Sequence, residues 1–263
     1  MIGLFLGNKN LPLEILKKIK KRKIKHFIID LTENNNFKKN KNCYFINIGK
    51  FGKILNLLKE KKCNKVLFAG LIKKPKISSL KLDFKGIYYL PRIIKASKLG
   101  DAAILKELIQ ILSENKIKVI KLNTFNPELT LIKGNYTKLS PNKFELLDIK
   151  KGIIYLSKLN SHNHTQGIVI RNGSVVVKET SSGTKKMLQS IKKLKNSAGI
   201  LIKLPKKKQD LRADLPTIGL ETLKDCKRAG IKGVVLKSNQ NILLDKVKCI
   251  NFANKNKLFL TIK

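Results

Sequence analysis

The sequence predicts an α/β fold divided into two domains. Short apolar runs alternate with segments of helical periodicity in the first half of the chain, which is typical of parallel strands joined by crossover helices. In the second half an Asn-Gly pair separates two β-branched runs, the strongest short-range signal of a β-hairpin. The length of 263 residues exceeds the commonest size of one domain.

The first half, residues 1–127, is predicted to form a Rossmann-like domain with an open, mostly parallel sheet. Its first strand covers residues 2–6, and a polar turn at Gly7 leads into a helix behind Pro12. Further strands of the same kind are predicted at residues 27–29, 44–48, 65–69 and 118–122. Ligands of such sheets bind at the carboxyl ends of the strands, so the turn at Gly7 is either a phosphate-binding turn or a purely structural one.

The second half contains the predicted linker and a second α/β domain. Residues 128–140 have little periodicity and are predicted to be the linker, and residues 141–263 are predicted to form the catalytic domain. One hairpin is predicted around Asn172-Gly173, and a second over residues 234–244.

Charge and composition limit the partners and the location. Lysine and arginine number 57 against 17 aspartate and glutamate residues, a formal net charge of +40 at pH 7. The lysines are scattered and tryptophan is absent, which favours a bias of codon usage over a specific nucleic-acid site. A basic surface is also attracted to anionic lipid, so we expect a cytoplasmic protein that binds transiently and peripherally to the cytoplasmic face of the inner membrane.

Metal-binding cysteine or histidine motifs are not expected. The four cysteines lack CxxC spacing, which favours reduced thiols over a zinc site. His162 and His164 lie in a polar loop without a third ligand nearby, and we interpret them as loop residues. The apolar run at residues 2–6 is too short for a signal peptide or a membrane span.

The densest group of charged residues lies in the segment from Lys203 to Gly219, which contains two prolines. A residue before proline disfavours the α conformation, so the segment is predicted to be extended. Asp210, Arg212 and Asp214 would then share one face. Two carboxylates can bind a divalent cation and the guanidinium can grip a phosphate, although a surface salt-bridge strip is an equal alternative.

The string QDLRADLPTIG at residues 209–219, preceded by Lys203 and Pro205, resembles the signature of the UDP-2,3-diacylglucosamine pyrophosphatases of the alphaproteobacterial (LpxI) type. The resemblance implies magnesium-dependent hydrolysis of UDP-2,3-diacylglucosamine to UMP and 2,3-diacylglucosamine 1-phosphate (lipid X), a step of lipid A biosynthesis. It also implies that water attacks the α-phosphorus and that substrate lies between the two domains.

The resemblance and the chemistry of the residues together assign candidate roles. The predicted catalytic residues are Asp210, Asp214 and Arg212, and the predicted magnesium ligands are Asp210, Asp214 and Glu179. The predicted substrate-binding residues are Lys203, Gln209, Thr217, Gly7, Lys73, Lys74, Gln166, Gly183 and Thr184.

Three positions depart from the family's pattern. Ala102, Ser182 and Lys185 stand where the family tends to have acids. A catalytically weakened member of the family is therefore one alternative, and a basic nucleic-acid-binding protein is another. The sequence also leaves open whether the chain forms a homodimer.

Overall fold

The computed structural model describes residues 1–72, 80–159, 165–192, 198–207 and 209–263. The chain divides into two compact units. Unit 1 consists of Met1–Pro127 and Asp210–Asp214, and unit 2 consists of Glu128–Gln209 and Leu215–Lys263.

Unit 1 is built on a parallel sheet, as the sequence predicts. The strands are β1 (Ile2–Leu6), β2 (His26–Asp30), β3 (Cys43–Phe45), β4 (Lys65–Ala69) and β5 (Lys118–Val119). Their order is β3-β2-β1-β4-β5, with every pairing parallel. This is the order of a Rossmann-like sheet, in which the chain reverses direction across the sheet beside the first strand.

In the part of unit 1 that the structure describes, four helices accompany this sheet. They are α1 (Leu11–Lys21), α2 (Phe51–Glu60), α3 (Phe84–Ser97) and α4 (Asp101–Glu114). In α1 the apolar residues recur at helical spacing, and Ile15 and Ile19 are completely buried. Phe5 and Phe68, on neighbouring strands, stack with ring centroids 4.7 Å apart in the core.

Unit 2 contains a mixed six-stranded sheet of order β6-β13-β11-β9-β7-β8 and a separate parallel pair, β10 and β12. The strands are β6 (Gly134–Asn135), β7 (Gly167–Arg171), β8 (Ser174–Lys178), β9 (Gly199–Lys203), β10 (Thr217–Ile218), β11 (Ile231–Leu236), β12 (Ile242–Leu243) and β13 (Phe259–Ile262). The helices are α5 (Lys143–Lys158), α6 (Gly183–Gln189), α7 (Leu220–Arg228) and α8 (Lys246–Lys255).

The first predicted hairpin is present and the second is not. Asn172 and Gly173 join β7 to β8 with φ angles of 50° and 78°, the left-handed pair that a type I′ turn requires. The prediction for residues 234–244 was wrong, because β11 pairs in parallel with β9 and β13, and β12 pairs with β10. The continuous apolar run of β11 reflects a central strand that is buried, as is typical of parallel pairing.

The segment predicted as a linker contains a short strand and a buried residue. Residues 128–140 include β6, which pairs antiparallel to β13. Leu131 is completely buried, and its backbone exchanges hydrogen bonds of 3.0 and 2.9 Å with the side chain of Asn241. A strand of two residues is too short to produce visible periodicity, which is why the sequence suggested a linker.

Across the described ranges, none of the helices combines the length and the apolar character needed to cross a membrane. All four cysteines are free thiols; Cys63, Cys226 and Cys249 are buried and Cys43 is half-buried. Burial raises the pKa of the Cys43 thiol to about 11, so it is protonated at neutral pH.

Candidate functional site

One edge of the unit 2 sheet brings together polar residues from three strands. Lys203 ends β9 and pairs in register with Gly167, the first residue of β7. Glu179 follows β8, and its amide donates a 2.8 Å hydrogen bond to the carbonyl of Gly167. Because β7 is antiparallel to both neighbours, the start of β7 meets the ends of β8 and β9 at this edge.

The side chains at this edge form a buried network. The ammonium of Lys203 donates to Thr184 Oγ1 at 2.6 Å and lies 3.4 Å from Glu179 Oε1. Thr184 Oγ1 in turn donates to Glu179 Oε1 at 2.6 Å. Lys203 and Glu179 are each only 5% exposed. A buried ion pair of this kind is maintained only when hydrogen bonds also satisfy the charged groups.

Backbone conformation places the third member of the network. Thr184 stands in the first turn of α6, directly after Gly183, whose φ angle is 82°. The turn before α6 is closed by the amide of Gly183, which donates to the carbonyl of Thr180. Glycine favours this left-handed conformation because it has no Cβ, so the predicted residue Gly183 directs the chain that carries Thr184.

Two acceptor atoms near this edge have no hydrogen-bond partner within the described part of the chain. They are Glu179 Oε2 and Gln166 Oε1, and both are buried. A Cβ atom at Gly167 would lie 2.8 Å from Glu179 Oε2. Gly167 therefore provides the space that the Glu179 carboxylate occupies.

The segment 210–214 forms a turn in unit 1, so the prediction of an extended segment was wrong there. The amides of Ala213 and Asp214 both donate to the carbonyl of Asp210. The Asp210 side chain also accepts a 3.0 Å hydrogen bond from the amide of Arg212. This local bond stabilises a turn in preference to an extended strand, which is a common behaviour of aspartate.

The turn contacts the rest of unit 1 through its backbone and through Ala213. Leu122 donates its amide to the carbonyl of Arg212 at 2.8 Å, and Ala213 packs against the apolar core of the unit. The turn therefore belongs structurally to unit 1.

Asp210 and Arg212 form a two-pronged ion pair. Arg212 Nη2 donates to Asp210 Oδ2 at 2.6 Å, and Arg212 Nε donates to Oδ1 at 3.0 Å. The guanidinium hydrogen bond lowers the pKa of the Asp210 carboxyl below its usual value, although partial burial opposes the shift. The same contact raises the pKa of Arg212. Both groups are therefore charged at neutral pH.

Several predicted binding residues are already engaged by backbone groups. The Gln209 side chain accepts a hydrogen bond from the amide of Lys206, and the Thr217 hydroxyl donates to the carbonyl of Leu215. The amide of Gly7 donates to the carbonyl of Ala69, so it supports the end of β1 structurally. Lys73, Lys74, His162 and His164 lie outside the described residues.

The predicted residues thus fall into two sets. Lys203, Thr184 and Glu179 make direct contacts in unit 2, whereas Asp210 and Asp214 belong to unit 1. Within the ranges that the structure describes, no three His, Cys, Asp or Glu side chains cluster as a metal site.

Sequence reasoning missed two residues that shape the buried network. Gly167 clears space for the Glu179 carboxylate, and Thr165 donates its hydroxyl to the carbonyl of Glu179 at 2.9 Å. The signal for Gly167 was present, since a glycine opening a β-branched strand often marks a close approach of another group.

The fold defines the class, a two-domain α/β protein. Its second unit holds a buried ammonium network and its first unit holds a carboxylate–guanidinium pair. The profile described as the LpxI N-terminal domain matches residues 1–129, and that of the LpxI C-terminal domain matches residues 132–261. The chain belongs to the LpxI family.

A curated relative agrees with this assignment. The UDP-2,3-diacylglucosamine pyrophosphatase LpxI of Caulobacter vibrioides is 31% identical over 223 residues. The match covers 82% of this chain and 80% of the relative.

Proposed function

We propose that this chain hydrolyses the pyrophosphate bond of UDP-2,3-diacylglucosamine to UMP and 2,3-diacylglucosamine 1-phosphate (lipid X), a reaction of lipid A biosynthesis. Family membership supports the reaction class. The observation that carries the proposal is the buried contact of Lys203 with Thr184 and Glu179, because a fixed, poorly hydrated ammonium is suited to neutralising phosphoryl oxygens.

The residues of unit 2 have distinct parts in this proposal. Lys203 binds a phosphoryl oxygen as negative charge develops on the departing phosphate. Thr184 and Glu179 hold the ammonium in position through their hydrogen bonds of 2.6 Å and the 3.4 Å ion pair. Glu179 then acts as a positioning residue, because its Oε1 is engaged and its Oε2 is enclosed beside Gly167.

The residues of unit 1 supply the second part of the chemistry. Arg212 uses Nε and Nη2 to hold Asp210, and we assign its Nη1 group to a phosphoryl oxygen. The carboxylates of Asp210 and Asp214 are oxygen donors of the type that magnesium prefers, and the two residues delimit one turn of unit 1. The chemistry of this donor set fits the cation.

Magnesium held by Asp210 and Asp214 would supply positive charge to the diphosphate. The chain's own contribution is to hold Asp210 in its turn and in its ion pair. Asp210 is kept ionised by Arg212, which lowers its pKa, and we propose that Asp210 or Asp214 orients the water that attacks the α-phosphorus.

The proposal is tested by incubating the purified protein with UDP-2,3-diacylglucosamine and magnesium and measuring UMP. We expect turnover. We expect Thr184→Val to lower kcat by about 10², because the Lys203 ammonium loses the hydroxyl that holds it in position. Thr222→Val, on α7, is the matched control and should retain full activity. Folded protein that forms no UMP at any magnesium concentration would exclude the reaction.

Two of the three departures from the family's pattern, Ser182 and Lys185, have a separate test. Lys203 is already held by Thr184 and Glu179, so we propose that acids at positions 182 and 185 are not required for turnover. The double variant Ser182→Glu/Lys185→Asp should then change kcat by less than about threefold. A gain of about a hundredfold would show instead that the natural chain is a weakened enzyme.

A further inference from the structure

Helix α3 carries an apolar stripe on its exposed side. Phe84 is 93% exposed, Ile87 58% and Tyr88 73%, and Pro91 is also exposed. These positions are spaced i, i+3, i+4 and i+7, which places them on one face of a helix. We refer to these four residues as the α3 outer face.

The opposite side of α3 accounts for the packing of the helix into unit 1. Gly86, Tyr89 and Ala96 are buried there, and the ring of Tyr89 packs edge-on against Phe51 with centroids 5.6 Å apart. A surface helix ordinarily presents polar residues outward. The α3 outer face lies away from these buried residues, apart from an edge contact of the Tyr88 ring with Tyr89 at 4.9 Å between centroids. Exposed apolar patches of this kind mark interaction surfaces.

The surroundings of this face are strongly basic. Exposed lysines flank it, namely Lys81, Lys85, Lys95 and Lys98. Asp83 is the one carboxylate in residues 81–98, and it accepts hydrogen bonds from the amides of Gly52, Lys53 and Gly86. These bonds lower the pKa of Asp83 against the opposing effect of burial, and they commit its charge to the start of the helix.

Charge complementarity selects the partner. A second copy of this chain would bring another net charge of +40 against the first, so self-association through this face is opposed electrostatically. An anionic surface is attracted instead, and each lysine near such a surface contributes about 1 kcal/mol. Aromatic rings combined with lysines are typical of helices that lie at the interface of a bilayer.

We propose that the α3 outer face docks on an anionic lipid bilayer, with Phe84, Ile87 and Tyr88 inserted at the level of the headgroups and the flanking lysines bound to lipid phosphates. Binding of lipid by this face is independent of the proposed function, since it requires neither substrate nor turnover.

The test is co-sedimentation of the full chain with substrate-free vesicles of phosphatidylglycerol and phosphatidylcholine. We expect binding to the mixed vesicles that weakens as salt rises, and little binding to pure phosphatidylcholine. Phe84→Ser should weaken binding about tenfold, and Lys85→Glu should also weaken it. Phe144→Ser is the matched control, because Phe144 on α5 is 81% exposed, and it should bind as the natural chain does.

Three outcomes would overturn the proposal. One is the absence of binding to anionic vesicles, and another is an equal loss of binding in Phe84→Ser and Phe144→Ser. The third is a dimer in analytical ultracentrifugation that Phe84→Ser dissociates, which would assign the face to a second copy. The melting temperature of Phe84→Ser should match that of the natural chain, because the side chain is exposed.

Discussion

The side chain of Lys203 is buried, and only 5% of the residue is exposed. Its ammonium is stabilised there by contacts with Thr184 and Glu179. Sequence reasoning selected all three residues, through a family resemblance. It did not establish their contacts, because residues at positions 179, 184 and 203 meet only when β8, α6 and β9 have folded.

The stability of this network has a direct test. Lys203→Met leaves the Glu179 carboxylate buried without its cation, and we expect a loss of about 3–5 kcal/mol in the free energy of unfolding measured with urea. The double variant Lys203→Met/Glu179→Leu removes both charges and should recover most of that loss while remaining inactive. Equal stability of the natural chain and the single variant would contradict the account of a coupled buried pair.

The pH dependence of Asp210 follows from its pairing with Arg212. A carboxyl whose folded-state pKa is lowered contributes stability above its unfolded pKa and loses that contribution as pH falls through the folded pKa. We expect Arg212→Ala to raise the pKa of Asp210 towards its ordinary value, as measured by carbon-13 NMR of the carboxyl group, and to move the acidic limb of the activity profile to higher pH.

Arg212→Lys provides the control for this measurement. It keeps a positive charge but lacks the planar fork that binds both carboxylate oxygens, so the pKa of Asp210 should take an intermediate value. An unchanged pKa in Arg212→Ala would show that the ion pair does not govern the ionisation of Asp210.

The β7–β8 hairpin could be predicted from its turn residues alone. The turn needs left-handed backbone at Asn172 and Gly173, and the Asn-Gly pair identifies that conformation from the sequence alone. The pairing of β10 with β12 could not be predicted in this way. Those strands have two residues each and are separated by α7 and β11, so no local pattern reports their register.

A substitution in the hairpin turn tests this left-handed conformation. Gly173→Ala keeps the loop length but places a Cβ at a φ angle of 78°, and we expect a loss of about 1–2 kcal/mol in unfolding free energy by chemical denaturation. Asn172→Gly is the control and should cost less, because glycine adopts the left-handed region readily. Equal effects of the two changes would mean that another turn type is formed.

For the whole molecule, the chain path differs from a simple succession of two domains. It leaves unit 1 after Pro127, returns for Asp210–Asp214 and then completes unit 2. The sequence placed these five residues in an extended part of the second domain. The sequence could not show that these residues join unit 1. The contacts that place them there, of Arg212 with Leu122 and of Ala213 with the unit 1 core, link residues that are distant in the chain.

Because Ala213 packs on the unit 1 core, we expect a substitution at this position to destabilise unit 1. Ala213→Lys should disturb the packing of Ala213 on the unit 1 core, at a cost of about 1–3 kcal/mol, and should speed hydrogen exchange of the Leu122 amide, which is bound to Arg212. Ala198→Lys, at an exposed position of unit 2, is the control. Faster exchange confined to unit 2 in Ala213→Lys would contradict the assignment.

We propose that this basic chain cleaves a diphosphate by attack of water on the α-phosphorus. The most direct measurement is mass spectrometry of the products formed from UDP-2,3-diacylglucosamine in oxygen-18 water. We expect one labelled oxygen in UMP and none in 2,3-diacylglucosamine 1-phosphate. Label in the sugar phosphate would contradict the direction of attack, and unchanged substrate would contradict the activity itself.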